Sequence, residues 1–203
     1  MNFATINNPQ QVFVFEPEHN YAGENFLVAP SNKLAFDAAI GFPWNGYALS
    51  ICGEAGCGKT HIAQIAKSLA DKELTIIDNA EENFGEVALL QLLNTIKENQ
   101  QYVILTSRKP VTEWKFTLPD LTSRLAAIPS IAIESPNEEL FYMLLARQFS
   151  ARQINVDDAV LNFLTARLEH NFTSLIAAVE KIDRLSLQEK RSITIPLVKN
   201  VIE

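Results

Sequence analysis

Apolar positions follow two different periods along the chain, and the change of period divides it in two. From Ser31 to Ile40 the residues Leu34, Ala35, Ala38 and Ala39 recur at helical spacing, with Ser31 the expected N-cap. Tyr47–Cys52 is a short apolar run closed by Gly53, the pattern of a buried strand. A helix is predicted over 59–69, a second buried strand over 74–77 ending at Asp78, and an amphipathic helix over 87–96. A third strand is predicted over 102–106 and a fourth over 130–133. After Pro136 three or four helices follow with no clear strand between them. Val160, Phe163, Leu164 and Leu168 make one face within 157–168; Leu175, Val179, Ile182 and Leu185 make another within 172–187. Strands alternating with helices, then helices alone, predict an α/β nucleotide-binding domain followed by a small α-helical lid. The boundary falls near Ser135–Pro136, giving a tail at 1–20, an α/β domain at 21–135 and a lid at 136–203.

Composition narrows the classes. With 203 residues, 47% hydrophobic and 20% charged, the chain has the make-up of an ordinary globular protein. No stretch approaches the ~18 apolar residues of a membrane span. The opening MNFATINNPQQ has neither the basic nor the apolar region of a signal peptide. Cys52 and Cys57 fall in or beside one glycine-rich loop that a disulfide would distort, so free thiols and a cytoplasmic setting are expected. The net charge of −7 argues against an electrostatic grip on nucleic acid. The adjacent basic pairs, Arg108-Lys109 and Lys190-Arg191, lie far apart in the chain and read as solvated surface. No direct sequence-specific DNA binding and no membrane contact are expected.

The strongest chemical signal is the run Gly53, Glu54, Ala55, Gly56, Cys57, Gly58, Lys59, Thr60, set between a predicted strand and a predicted helix. This is the phosphate-loop pattern, and its chemistry needs these residue types. Glycines let backbone N–H groups turn inward around phosphates, and the helix N-terminus behind them adds its dipole. Lys59 is expected to reach the β- and γ-phosphates and Thr60 to ligate magnesium, with His61 beside them. Asp78, at the end of the next strand, is the candidate second metal ligand; a capped strand end in a turn is the other reading. Asn79 follows it where many hydrolysing phosphate-loop ATPases place a glutamate, so slow or absent intrinsic hydrolysis is expected. Glu81 is a candidate substitute base.

The motif order NYAGENFLVAPSNKLA, GEAGCGKTH, IIDNAE, ILTS, LPDLTSRLAA and ITIPLVKNVI resembles the bacterial replication initiator ATPase DnaA. It is more similar still to the Hda-type regulators of DnaA, within the DnaA-related AAA+ family. The resemblance spans most of the chain. It implies an AAA+ domain with a lid, ADP or ATP with magnesium as cofactor, and DnaA and the DNA polymerase sliding clamp as partners, with a homo-oligomer also open. DnaA itself continues into a DNA-binding helix-turn-helix domain, which is not expected here because the sequence runs only to Glu203. The segment Gln11, Val12, Phe13, Val14, Phe15 resembles the family's clamp-binding peptide; an edge strand or a tail lying on its own domain is the alternative. Arg124 matches the arginine finger that this class supplies to a neighbour's nucleotide; a surface arginine near a helix C-terminus is the alternative. Thr106 and Ser107 fall at the sensor position, or form a turn before Pro110.

Two departures stand out. Thr173 occupies the position of the lid's nucleotide-sensing arginine. The stretch from Lys59 to Asp78 is also short by a strand and a helix. Either the family's edge strand is missing, or residues 74–78 are that edge strand and a metal-binding acid is missing; the form IIDNAE favours the first. The leading functional class is a regulator that binds the clamp and completes another protein's active site. The competing class is an autonomous AAA+ ATPase of clamp-loader or remodelling type, and a DNA-binding initiator is disfavoured.

Overall fold

The computed structural model describes residues 26–202. Strand β1 (Ala48–Cys52) is buried at all five positions, as a strand covered on both faces must be. It lies between β3 (Tyr102–Ser107) and β4 (Ser130–Ala132), and β2 (Leu74–Ile77) pairs with the far side of β3. Every pairing is parallel and the order is β2-β3-β1-β4. Side chains alternate across the pleat: Val103 and Leu105 of β3 enter one core, Ile104 the other.

Helices cover both faces. On one, α1 (Pro30–Ile40) and α2 (Lys59–Leu69) bury Ala35, Ala39, Ile62, Ala63 and Ala66. The short α3 (Ala80–Asn83) leads to the other face, where Leu89, Leu93 and Ile96 of α4 (Glu86–Glu98) meet Leu121 and Leu125 of α5 (Pro119–Ala126). Burying one such leucine or isoleucine contributes about 1.5–3 kcal/mol relative to exposing it. The remaining helices, α6 (Glu138–Ala151), α7 (Asp158–Thr165), α8 (Phe172–Glu189) and α9 (Ile195–Ile202), enclose a core of their own around Phe141, Leu145, Phe149, Leu164, Val179 and Ile182. The expected architecture, a parallel sheet flanked by helices with a helical lid, is the one observed. No helix among the described residues is long and apolar enough to cross a membrane.

Local corrections have physical causes. The first helix does not start from Ser31: Pro30 opens it, Ala29 is the N-cap, and Asn32 reaches back to accept the Ala29 N–H at 2.9 Å. The helix expected over 157–168 ends at Thr165, where the Thr165 hydroxyl donates to the Leu161 carbonyl at 2.9 Å; Leu168 still lies against the lid core. No strand covers the outer edge of β2 among the described residues, and Asp78 follows a strand that pairs directly with β3.

Candidate functional site

The phosphate loop leaves β1 at its carboxyl end, and β1 is where the sheet reverses its order of growth, the usual crevice for ligands in open α/β sheets. Two glycines in it are required by close approach. A Cβ on Gly53 would lie 2.9 Å from Cys57 Sγ and 3.0 Å from the Ile133 carbonyl oxygen. A Cβ on Gly56, at φ +81°, would lie 2.3 Å from Ile176 Cδ1 of the lid. Lys59, the first residue of α2, is only 7% exposed. Its ammonium donates to the carbonyls of Gly53 at 2.9 Å and Glu54 at 2.8 Å, which satisfies a nearly buried charge and braces the loop. The Cys57 thiol is buried beside it; burial pushes its pKa up, with the Lys59 charge opposing. Burial likewise raises Cys52, and both thiols are free.

Opposite the lysine, three elements converge on one carboxylate oxygen. Thr60 at the start of α2 donates its hydroxyl to Asp78 Oδ1 at 2.9 Å, and the Thr106 hydroxyl from the end of β3 donates to the same oxygen. The Thr106 oxygen in turn accepts the Asn79 N–H at 3.1 Å. A hydroxyl and a carboxylate held together are hard oxygen donors of the kind magnesium uses, and magnesium needs only one or two from the protein because phosphates and water supply the rest. Thr60 and Asp78 therefore fit the ion. No group of three or more His, Cys, Asp or Glu able to hold a metal occurs among the described residues.

The expected sensor pair divides. Thr106 joins the Asp78 cluster, whereas the Ser107 hydroxyl donates to the Lys109 carbonyl at 2.6 Å within the following turn. The Ser107 carbonyl nonetheless ties β3 to the loop by accepting the Gly53 N–H at 3.2 Å. His61 sets its ring edge-on to Phe26, with centroids 5.2 Å apart, and Phe26 in turn stacks on Phe36. Glu81 accepts the Arg108 N–H through Oε1, while its Oε2 is buried with no hydrogen-bond partner among the described residues.

The lid rests on the loop directly. Phe172, the first residue of α8, is buried in the core shared by α1 and α2, and its N–H donates to Glu54 Oε2 at 3.3 Å. Ile176, one turn on, sits over Gly56. Thr173 between them is exposed, and Asn171 caps the helix by accepting the Ser174 N–H at 2.7 Å. Ala55 is exposed at the loop tip. No local pattern marks Phe26, nor the Glu54–Phe172 contact, which joins residues 118 apart.

Arg124 stands elsewhere. It lies in the last turn of α5, whose Leu121 and Leu125 are buried on the face of the sheet opposite α2. Partly exposed, it makes no ion pair or side-chain hydrogen bond among the described residues. Gln11, Val12, Val14 and Phe15 lie outside the described residues.

Known proteins match this arrangement. Residues 138–202 match the family model described as "Hda, lid domain". An uncharacterized protein of Haemophilus influenzae is 27% identical over 215 residues, covering 90% of this chain and 91% of its own length. Domain III of the Thermotoga maritima replication initiation protein DnaA superposes with a TM-score of 0.75 at 20% identity, over 91% of this chain and 98% of that one. AMPPCP-bound DnaA from Aquifex aeolicus superposes with a TM-score of 0.61 at 17% identity, over 82% and 68%. The helical unit thus matches the Hda lid, and the chain as a whole has the fold of DnaA domain III, a parallel sheet flanked by helices with a helical lid.

Proposed function

We propose that this chain binds ADP or ATP with magnesium at Gly53–Thr60 and acts in the cytoplasm as a regulator of replication initiation. In this reading it is held on the sliding clamp by Gln11, Val12, Val14 and Phe15, and it stimulates hydrolysis of the ATP carried by DnaA. The phosphates lie against the loop amides with Lys59 and His61; Thr60 and Asp78 hold the metal, which screens phosphate charge; Thr106 forms the sensor end of β3, with the Ser107 hydroxyl held in the turn that follows. The domain boundary is placed at Ser135–Pro136, and self-association is compatible with the same surfaces. The observation that carries the reading is the position of Arg124. The sheet separates it from its own phosphate loop, and no carboxylate of the described residues engages it. A cation so placed can serve a nucleotide on another subunit, where an arginine finger accelerates phosphoryl transfer about 10³–10⁵-fold.

The test is turnover of DnaA-bound ATP with clamp, DNA and this protein present. Arg124→Ala is expected to keep its fold, its ADP affinity and its clamp binding while losing the stimulation; wild-type stimulation by a folded mutant removes Arg124 from the mechanism, and no stimulation by the wild-type protein overturns the regulatory reading. Replacing Gln11 and Phe15 together by Ala is expected to abolish capture on immobilised clamp without altering ADP binding, because interface energy concentrates in a few such anchors.

A specific observation favours a second reading, an autonomous ATPase. Glu81 keeps one carboxylate oxygen buried and unpartnered among the described residues, three positions after Asp78. Steady-state turnover of the isolated protein that disappears in Glu81→Gln would establish it.

A further inference from the structure

Helix α5 has only 8 residues, and its own N-terminus supplies no side-chain cap. Two leucines hold it in the core it shares with α4: Leu121 and Leu125 are buried there, and Arg124 is adjacent to the second. Two neighbouring anchors on one side of so short a helix fix its distance from that core better than the direction of its axis. The direction is fixed at the start of the helix, by a polar contact from the first residue of α4. Glu86, the first residue of α4, places its carboxylate at the start of α5: both oxygens accept the Thr117 N–H at 3.0 Å, Oε1 accepts the Thr117 hydroxyl at 3.1 Å, and Oε2 accepts the Leu118 N–H. The positive end of the α5 dipole favours the same carboxylate, and Pro119 at the first helical position asks for no further acceptor. The Thr117 and then the Leu118 N–H groups hold the Glu86 carboxyl below the ordinary carboxylate range. A carboxylate bridging two helix starts is more than the solvated first-turn glutamate its sequence position suggests.

We infer that Glu86 is a positioning residue for Arg124: by clamping residues 117–118 to the start of α4 it sets the orientation in which α5 presents the arginine to a neighbouring subunit's nucleotide. The inference rests on the proposed trans-acting role of Arg124. Glu86 touches no nucleotide and acts only through α5.

The experiment measures DnaA-bound ATP turnover against the concentration of the full-length protein, with clamp and DNA present, for wild type, Arg124→Ala, Glu86→Ala and Glu86→Gln. Misplacing a catalytic group by about an ångström costs up to ~10²-fold, so Glu86→Ala is expected to lower the maximal stimulated rate about tenfold while the half-saturating concentration stays within about twofold. Glu86→Gln keeps an acceptor oxygen for the backbone and is expected to recover to within about threefold of wild type. ADP affinity remains that of wild type in both, and amide exchange at Thr117 and Leu118 quickens in Glu86→Ala. If Arg124→Ala is inactive while both Glu86 variants stimulate normally, the positioning role is overturned and the regulatory reading stands. If Glu86→Ala instead raises the half-saturating concentration at unchanged maximal rate, Glu86 belongs to the docking surface and the inference is wrong. If Arg124→Ala stimulates normally, there is no finger to position and the inference falls, whereas absence of stimulation by the wild-type protein overturns the regulatory reading itself.

Discussion

The phosphate loop and helix α5 lie on opposite faces of one sheet and spend their cations in opposite ways. Lys59 is nearly buried, and two carbonyls of its own loop hold its ammonium. Thr60, Asp78, Thr106 and Asn79 form a connected set of hydrogen bonds beside the loop. Arg124 is half-exposed and takes no partner from the described residues. In the proposed role the loop's cradle of backbone dipoles is arranged in advance, and a phosphate would need mainly to draw the Lys59 ammonium from its loop carbonyls. An arginine at the end of an anchored helix is prepared in a different sense: its backbone is fixed and its charge is left for an anion from outside.

The largest effect that could break this contrast is on the loop. Hydrogen bonds to charged groups contribute about 1.5–3 kcal/mol, so Lys59→Ala is expected to weaken ADP binding by roughly ten- to a hundredfold. The fold should survive, because the lysine's partners are loop carbonyls and not core groups. Isothermal calorimetry with a melting curve reads both quantities, and unchanged affinity in a folded mutant sinks the cradle. Next in size is Gly56→Ala. At φ +81° the new Cβ strains the backbone by about 1–2 kcal/mol and collides with Ile176 Cδ1 as well. Nucleotide affinity and amide protection at the start of α8 are expected to fall together. Adding Ile176→Ala should relieve the collision and recover the amide protection but not the affinity; recovery of both would mean that the loop's conformation matters less than its neighbour.

Sequence and structure agree where the determinants are local. The loop Gly53–Thr60 was legible because its glycines, lysine and threonine are contiguous and sit between a strand and a helix that periodicity alone predicts. Asp78 was legible because a strand end precedes it, although only pairing with β3 distinguishes its strand from a detached edge. Ser31 misled because a good capping residue one position inside a helix looks the same in sequence as one at its end, and the true start depends on Pro30 and the reach of Asn32. Arg124 carried no local signal and was marked by family resemblance alone. Glu86 and Glu54 were invisible as helix caps, since their partners lie 31 or more positions away and a carboxylate at such a separation resembles any exposed acid.

Those two carboxylates give the finest test of the contrast, since each accepts backbone N–H groups at the start of a helix on its own side of the molecule. Glu54 receives one, from Phe172 at 3.3 Å, and the side chain is exposed, so Glu54→Ala is expected to cost no more than about 0.5 kcal/mol. It should quicken exchange of the Phe172 amide and leave Thr117 and Leu118 as they are. Glu86→Ala should do the reverse, because the sheet lies between the two sites. Acid separates them further. The folded pKa of Glu86 is lowered by the Thr117 and Leu118 N–H groups, so its support of α5 is fully present above the ordinary carboxylate value of 4.5 and is lost as pH falls through the lower folded value. Exchange at Thr117 and Leu118, corrected for its intrinsic pH dependence, is therefore expected to stay slow down to the ordinary carboxylate range and to rise only below it. Loss of their protection already above that range would show that the Glu86 carboxylate is not what holds them, and a response of Phe172 to Glu86→Ala would show that the two ends of the molecule open as one unit and that the loop and the finger helix are not independent.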